Sequence, residues 1–192
     1  MAKIVLFGDS ILGGFSSGRL TPVITNQLQA AFPDDQIANL SIAGATTFDA
    51  LEFLDVNVNS KHPDLVILNF GINDASNSLG LSAGRYNSNL NNLVEKIGPQ
   101  KVILISPSYT NWRVASDQSW TRILQFSLVT EHVAKSYQTK FLNLSQLMYR
   151  EPHPEQLLQK DGIHLNARGN ELLLKHLIPL IKEFKEQAHT YA

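Results

Sequence analysis

Two short segments at opposite ends of the chain carry the side chains best suited to covalent chemistry: "FGDSI" (7–11), with Ser10, and "DGIH" (161–164), with Asp161 and His164. A serine hydroxyl is a poor nucleophile unless a neighbouring base takes its proton as it attacks, so Ser10 needs a histidine within reach. His164 is the candidate, because Asp161 stands three residues before it on a glycine-containing turn. One loop can then present both groups, the carboxylate fixing the imidazole tautomer and stabilising the imidazolium. His153, in "EPHPEQ" (151–156), is the rival base; Glu151 and Glu155 lie near it without a matching spacing. His62, His132, His176 and His189 show neither HExxH nor another metal-ligand spacing and read as surface or packing residues. The chain has no cysteine, which excludes a disulfide frame, a thiol nucleophile and a cysteine-based metal site. The chemistry expected of these residues needs neither a metal nor an organic cofactor.

Two further segments stand out: "SIAGATT" (41–47), with Gly44, and "GIND" (71–74), with Asn73. Each candidate also has a plain structural role. Ser10 could cap a helix, Gly44 could supply a positive φ, Asn73 could close a turn, and Asp161 with His164 could be a local ion pair. Asp9 and Asp74 are expected to bond loop backbone rather than to react.

The elements that must position these residues follow one rhythm. Five short apolar runs, "KIVLFG" (3–8), "IANLS" (37–41), "LVILNFG" (65–71), "KVILIS" (101–106) and "KFLNLS" (140–145), alternate with stretches at helical spacing. Continuous apolar runs suit strands covered on both faces. The helical stretches carry Ile24, Leu28, Ala31 and Phe32 after a start at Thr21 and Pro22, then Phe48, Leu51 and Leu54. They continue with Tyr86, Leu90, Leu93, Val94 and Ile97, then Trp120, Ile123, Leu124 and Leu128. The last begins near Asn166, turns Leu173, Leu177, Leu180, Ile181 and Phe184 inward, and should kink at Pro179. The pattern predicts one domain over residues 1–192, a three-layer α/β/α sandwich on a parallel sheet with right-handed crossovers. Ligands bind beyond the carboxyl ends of such strands. All four segments fall on that edge.

In this arrangement the chain resembles the GDSL family of esterases and lipases, also called SGNH hydrolases. The resemblance rests on "FGDSI", Gly44, "GIND" and "DGIH" in the family's order and covers nearly the whole chain. It implies a flavodoxin-like, five-stranded parallel sheet in the order 2-1-3-4-5, with Ser10 as nucleophile, His164 as base and Asp161 as its orienting acid. It also implies an oxyanion held by the backbone N–H groups of Ser10 and Gly44 and by the side-chain amide of Asn73. In that order the first strand lies between the second and third, so Gly44 and Asn73 flank Ser10. The fifth strand lies three spacings away, roughly 14 Å at ~4.8 Å per strand. The excursion from Gln146 to Asp161 must therefore carry His164 back, with Pro154 to Gln159 supplying a helical turn. Gly13 and Gly14 are expected to let backbone and substrate approach closely beside Ser10.

The segment "SPSYTNWRVASDQSW" (106–120) lies on the same edge, and its Tyr109, Trp112 and Arg113 are candidates to line the substrate pocket. Trp120 suits the core equally well. With 16 Lys+Arg against 17 Asp+Glu and no long like-charge block, the chain offers no electrostatic footprint for nucleic acid or an anionic membrane. The apolar run Ile4 to Phe7 is short for a signal-peptide core, and no stretch of ~20 apolar residues follows, so a cytoplasmic protein without a stable membrane anchor is expected. The expected partner is a small-molecule ester, with short acyl chains favoured over a thioester, a lysophospholipid or an acetylated carbohydrate. A noncatalytic module holding phosphate at the Ser- and Gly-rich first loop is the alternative of a different class. Oligomeric state is not written in the pattern.

Overall fold

A computed structural model describes residues 1–190, and side chains as far as Gln187, so the side chain of His189 lies outside the described residues. Five parallel strands, β1 (Lys3–Gly8), β2 (Gln36–Asn39), β3 (Leu65–Asn69), β4 (Val102–Ile105) and β5 (Lys140–Leu142), stand in the order β2-β1-β3-β4-β5. The continuous apolar runs are the reason: Ile4–Phe7, Leu65–Leu68 and Val102–Ile105 are all buried, as central strands covered on both faces require. The helices are α1 (Val23–Ala31), α2 (Thr47–Phe53), α3 (Ala83–Ile97), α4 (Trp120–Tyr137), α5 (Leu144–Tyr149) and α6 (Ala167–Thr190). Helices α2, α3 and α4 pack in succession, while α1 packs against α6. Strand order reverses at β1, so right-handed crossovers put these two groups on opposite faces.

Three local expectations are corrected. The fifth run ends as a strand at Leu142, because the Asn143 side chain accepts a hydrogen bond from the N–H of Gln146 and starts α5. Helix α4 buries Ile123, Phe126, Ser127, Thr130 and Val133, leaving Leu124 and Leu128 exposed. Its polar inward residues are satisfied locally: the Ser127 and Thr130 hydroxyls donate to the carbonyls of Ile123 and Phe126 at 2.8 and 2.9 Å, and also meet Ser145 and Tyr86. Phe48 is exposed on the first turn of α2, where Thr47 and Ala50 face inward instead. Helix α6 runs on through Pro179, which sits on its exposed side.

The end of β1 is where fold and site meet. The Asp9 N–H donates to the Asn69 carbonyl of β3 at 3.1 Å, and a Cβ on Gly8 would stand 2.4 Å from that same oxygen. Glycine at position 8 is what lets β1 and β3 stay paired up to the residue before the Asp9–Ser10 step. Gly8→Ala should therefore destabilise the protein by ~1–3 kcal/mol, the usual scale for overpacking against a fixed neighbour, seen as a lower midpoint in urea unfolding.

Candidate active site

Beyond Gly8 the chain folds into a tight turn. The N–H groups of Gly13, Gly14 and Phe15 donate to the carbonyls of Asp9, Ile11 and Ser10, and the Ile11 N–H donates to the Asp9 carboxylate at 2.9 Å. The turn thus consumes four of its own donors. Among the described residues the N–H groups of Ser10 and Leu12 have no hydrogen-bond acceptor. The two glycines let the chain approach itself closely, as expected for its backbone: a Cβ on Gly13 would meet the Leu20 side chain at 2.7 Å and the Asp9 carbonyl at 3.1 Å, and one on Gly14 the Val23 side chain at 2.8 Å and the Thr21 carbonyl at 2.9 Å.

His164 reaches Ser10 across 154 residues of sequence, its Nε2 standing 3.0 Å from the Ser10 Oγ. Its Nδ1 is 2.7 Å from one Asp161 carboxylate oxygen, while the other accepts the N–H groups of Ile163 and His164 at 2.9 and 3.0 Å. Partial burial raises the Asp161 pKa, but the His164 ring and those two amides outweigh it and hold the carboxyl below its ordinary value. An ionised Asp161 accepts the Nδ1 proton, which leaves the Nε2 lone pair facing the hydroxyl of Ser10.

The return of His164 from the far side of the sheet is built from specific contacts. A short 3₁₀ turn at Pro154–Leu157 lies within the segment where a helical turn was expected. Leu158 pairs with Leu165 across the loop, the Gln159 side chain donates to the Phe15 carbonyl at 2.6 Å, and the Asn111 N–H donates to the Gly162 carbonyl at 2.8 Å. The Phe15 ring stacks on the His164 imidazole, centroids 4.2 Å apart. Phe15 and Gln159 were not found by sequence reasoning. An aromatic residue following two glycines was the available signal for the first.

Gly44 lies at φ +79° on an exposed turn, and among the described residues its N–H has no acceptor. The Asn73 side-chain amide donates to the Ala45 carbonyl at 2.9 Å, one of its two N–H groups remaining for another acceptor. Since β1 lies between β2 and β3, this contact between the loops that follow them spans the end of β1, where Ser10 sits. Asp74 accepts from the N–H and hydroxyl of Thr47, the first residue of α2, where loop backbone was the expected partner. Burial pushes its carboxyl up to about 6, against the hydrogen bonds from Thr47. Asp9 is raised further, to about 7, chiefly by burial, with the Ile11 and Ile72 N–H groups opposing and the Asp74 charge adding.

The other candidates are placed differently. His153 is exposed and faces Glu155 at 3.5 Å. Tyr109 is buried in an aromatic cluster with Trp120 and Tyr149. Trp112 and Arg113 are exposed, the guanidinium 5.8 Å from the indole centroid, on a segment that Asn111 and Val114 press against Gly162. Arg122 was missed altogether; its guanidinium donates to the carbonyls of Asp74, Ala75 and Leu81 and braces the loop after β3. Among the described residues no three His, Asp or Glu side chains gather as metal ligands, and no helix is long and apolar enough to cross a membrane.

A hydroxyl in contact with an imidazole oriented by a carboxylate, beside unpaired N–H donors, is the constellation of a nucleophilic hydrolase. The chain belongs to the GDSL-like lipase/acylhydrolase family, whose pattern matches residues 6–172. It is similar to a lipase/acylhydrolase from Enterococcus faecalis, with 33% identity and a TM-score of 0.91 over 95% of this chain and 96% of that one. An acetylxylan esterase from Geobacillus stearothermophilus shares the fold, at 22% identity and a TM-score of 0.74 over 94% of each chain. No curated protein matches the sequence. The protein is a carboxylic ester hydrolase.

The raised pKa of Asp9 has a sign that can be measured. Between its ordinary value of 3.8 and about 7 the folded protein holds a proton that the unfolded chain has lost, so this group's contribution to stability declines as pH rises through that window. Asp9→Asn removes the titration while keeping an acceptor for Ile11. Measured by urea unfolding, the stability of Asp9→Asn relative to wild type should improve from pH 4 to pH 8 by on the order of 2–4 kcal/mol.

Proposed function

We propose that the protein hydrolyses carboxylic esters of short acyl chains by two-step acyl transfer, with Ser10 as nucleophile, His164 as general base and acid, and Asp161 as its orienting carboxylate. Ser10 attacks the ester carbonyl as His164 Nε2 takes its proton. The tetrahedral oxyanion is received by the N–H groups of Ser10 and Gly44 and the free N–H of the Asn73 amide. His164 then gives its proton to the leaving alcohol, the acyl-enzyme forms, and a water deprotonated by the same imidazole releases the acid. Each step keeps its proton on Nε2 or the reacting oxygens.

The observation that carries this reading is the 3.0 Å contact of His164 Nε2 with the Ser10 Oγ, made while Nδ1 faces Asp161. The acetylxylan esterase supports it: its variants described as catalytic mutants replace a serine, an aspartate and a histidine, and the aspartate precedes the histidine by three residues. Asp161 and His164 keep the same step. Trp112 and Arg113 form the exposed rim on the leaving-group side in this reading, with Tyr109 behind them. Phosphate binding by the first loop is disfavoured, because the N–H groups of Ile11, Gly13, Gly14 and Phe15 are bonded within the loop itself.

Turnover of p-nitrophenyl esters from acetate to palmitate, beside an acyl-CoA and an acetylated sugar, tests the substrate class. The short esters should give the highest kcat/KM, and a maximum at long chains would overturn that part. Ser10→Ala should abolish turnover of p-nitrophenyl acetate with the fold intact. Asn73→Ala should lower kcat by ~10²–10³, the scale of one oxyanion donor; an unchanged kcat contradicts its assigned role.

A further inference from the structure

We propose that Thr47, held between Asp74 and Asn89, is a positioning residue for this reaction: it fixes the loop carrying Gly44 to the loop carrying Asn73 and so sets the spacing of the two donors that flank Ser10. The inference rests on the oxyanion assignment above.

The three side chains form a directed, fully buried chain. The Asn89 amide of α3 donates to the Thr47 hydroxyl at 3.1 Å, and that hydroxyl, with one of its two lone pairs so occupied, donates to Asp74 Oδ1 at 2.5 Å. The Thr47 N–H adds contacts of 2.9 and 3.2 Å to the two oxygens of the same carboxylate. Thr47 and Asp74 have no exposed surface, and Asn89 is 5% exposed, so solvent does not compete for these bonds. Such a cluster is an expensive way to join two loops. A well-packed apolar pair would avoid burying a carboxylate, a hydroxyl and an amide. What the polar cluster provides is one geometry, because each group has a single satisfied arrangement.

The two sides of the bolt are not equally supported. On the Asn73 side, Arg122 of α4 holds the carbonyls of Asp74, Ala75 and Leu81, so the loop after β3 is tied to the helical layer. On the Gly44 side, nothing stands within 4 Å of where a Cβ of Gly44 would be, so side-chain packing does not hold the tip. Its place is set instead by the residues that follow: Ala45, whose carbonyl takes the Asn73 amide, Thr46, whose N–H and hydroxyl meet Asp49, and Thr47, anchored on Asp74. The capping box at Thr46 shapes the start of α2 but stays within it. Among the described residues, the hydrogen bonds that cross to the Asn73 loop are those of Ala45 and Thr47. Donors to a developing oxyanion act by being fixed before the charge appears. Loosening the cross-tie should then weaken transition-state stabilisation more than ester binding.

Thr47→Val keeps the size and the backbone N–H while removing the hydroxyl from the chain; Thr47→Ser keeps the hydroxyl. With p-nitrophenyl acetate, and rates normalised to the burst of p-nitrophenol per active site, Thr47→Val should lower kcat about 10-fold, the scale of a displaced catalytic group, with KM changed less than about twofold. Thr47→Ser should recover most of that loss. A Thr47→Val protein that unfolds at lower urea but keeps kcat within about twofold of wild type has lost a structural group only, and overturns the proposal. Should Thr47→Val fail to fold, Asn89→Ala decides: withdrawing the donor to Thr47 should lower kcat at least about threefold at constant KM, and an unchanged kcat overturns the proposal. Ser10→Ala is assayed in parallel. If it retains wild-type turnover, it is the underlying assignment of Ser10 that fails; if it is inactive while Thr47→Val is unimpaired, only the positioning inference fails.

Discussion

The contact between His164 and Ser10 is the constraint around which the carboxyl edge of the sheet is arranged. Strand order puts β5 three places from β1, so the histidine cannot meet the serine by strand geometry alone. The loop after α5 makes up the distance with the 3₁₀ turn at Pro154, the Leu158–Leu165 pairing and the Gln159 bond to the Phe15 carbonyl. The same loop is then held from the β4 side by Asn111 and from the β1 side by the Phe15 ring. The Gln159 and Phe15 contacts join the histidine loop to the turn that carries Ser10, and the other contacts shape the loop or tie it to the segment after β4, so the imidazole is placed by several weak restraints rather than one strong one.

The same edge shows how backbone donors are apportioned. In the Ser10 turn the N–H groups of Ile11, Gly13, Gly14 and Phe15 are bonded inside the loop, and among the described residues those of Ser10 and Leu12 are left without an acceptor. On the β2 side the chain is tied to β1 by the Ile42 N–H to the Gly8 carbonyl, yet Gly44, two residues on, again keeps an unpaired N–H. The N–H groups of Ser10 and Gly44, with the Asn73 amide reaching across from the third loop, are the donors that the proposed oxyanion role needs.

Much of this could be read before any coordinates, and the boundary has a physical basis. Strands appeared because a central parallel strand must be apolar on both faces, and Ser10, Asp161 and His164 appeared because their chemistry demands a nucleophile, a base and an orienting acid. Helix α4 was misread where Ser127 and Thr130 bury themselves by bonding to the preceding turn, an option that hydropathy does not register. The close backbone approach expected at Gly13 and Gly14 is present, and beside it stand the Leu20 and Val23 side chains, which the sequence pattern does not place there. Gln159, Arg122 and Phe15 act through contacts to distant backbone or rings, and such contacts leave no periodic trace in sequence. The Thr47 bond to Asp74 is of the same kind, joining residues 27 apart.

The central claim is that one imidazole activates one hydroxyl. Its most direct test is covalent labelling by a fluorophosphonate, with the modified residue located by mass spectrometry and the rate compared between wild type and His164→Ala. A single adduct on Ser10, formed at least ~10²-fold more slowly without the imidazole as general-base assistance requires, is the predicted result. An adduct on another residue, or labelling of Ser10 at the same rate in both proteins, would contradict it.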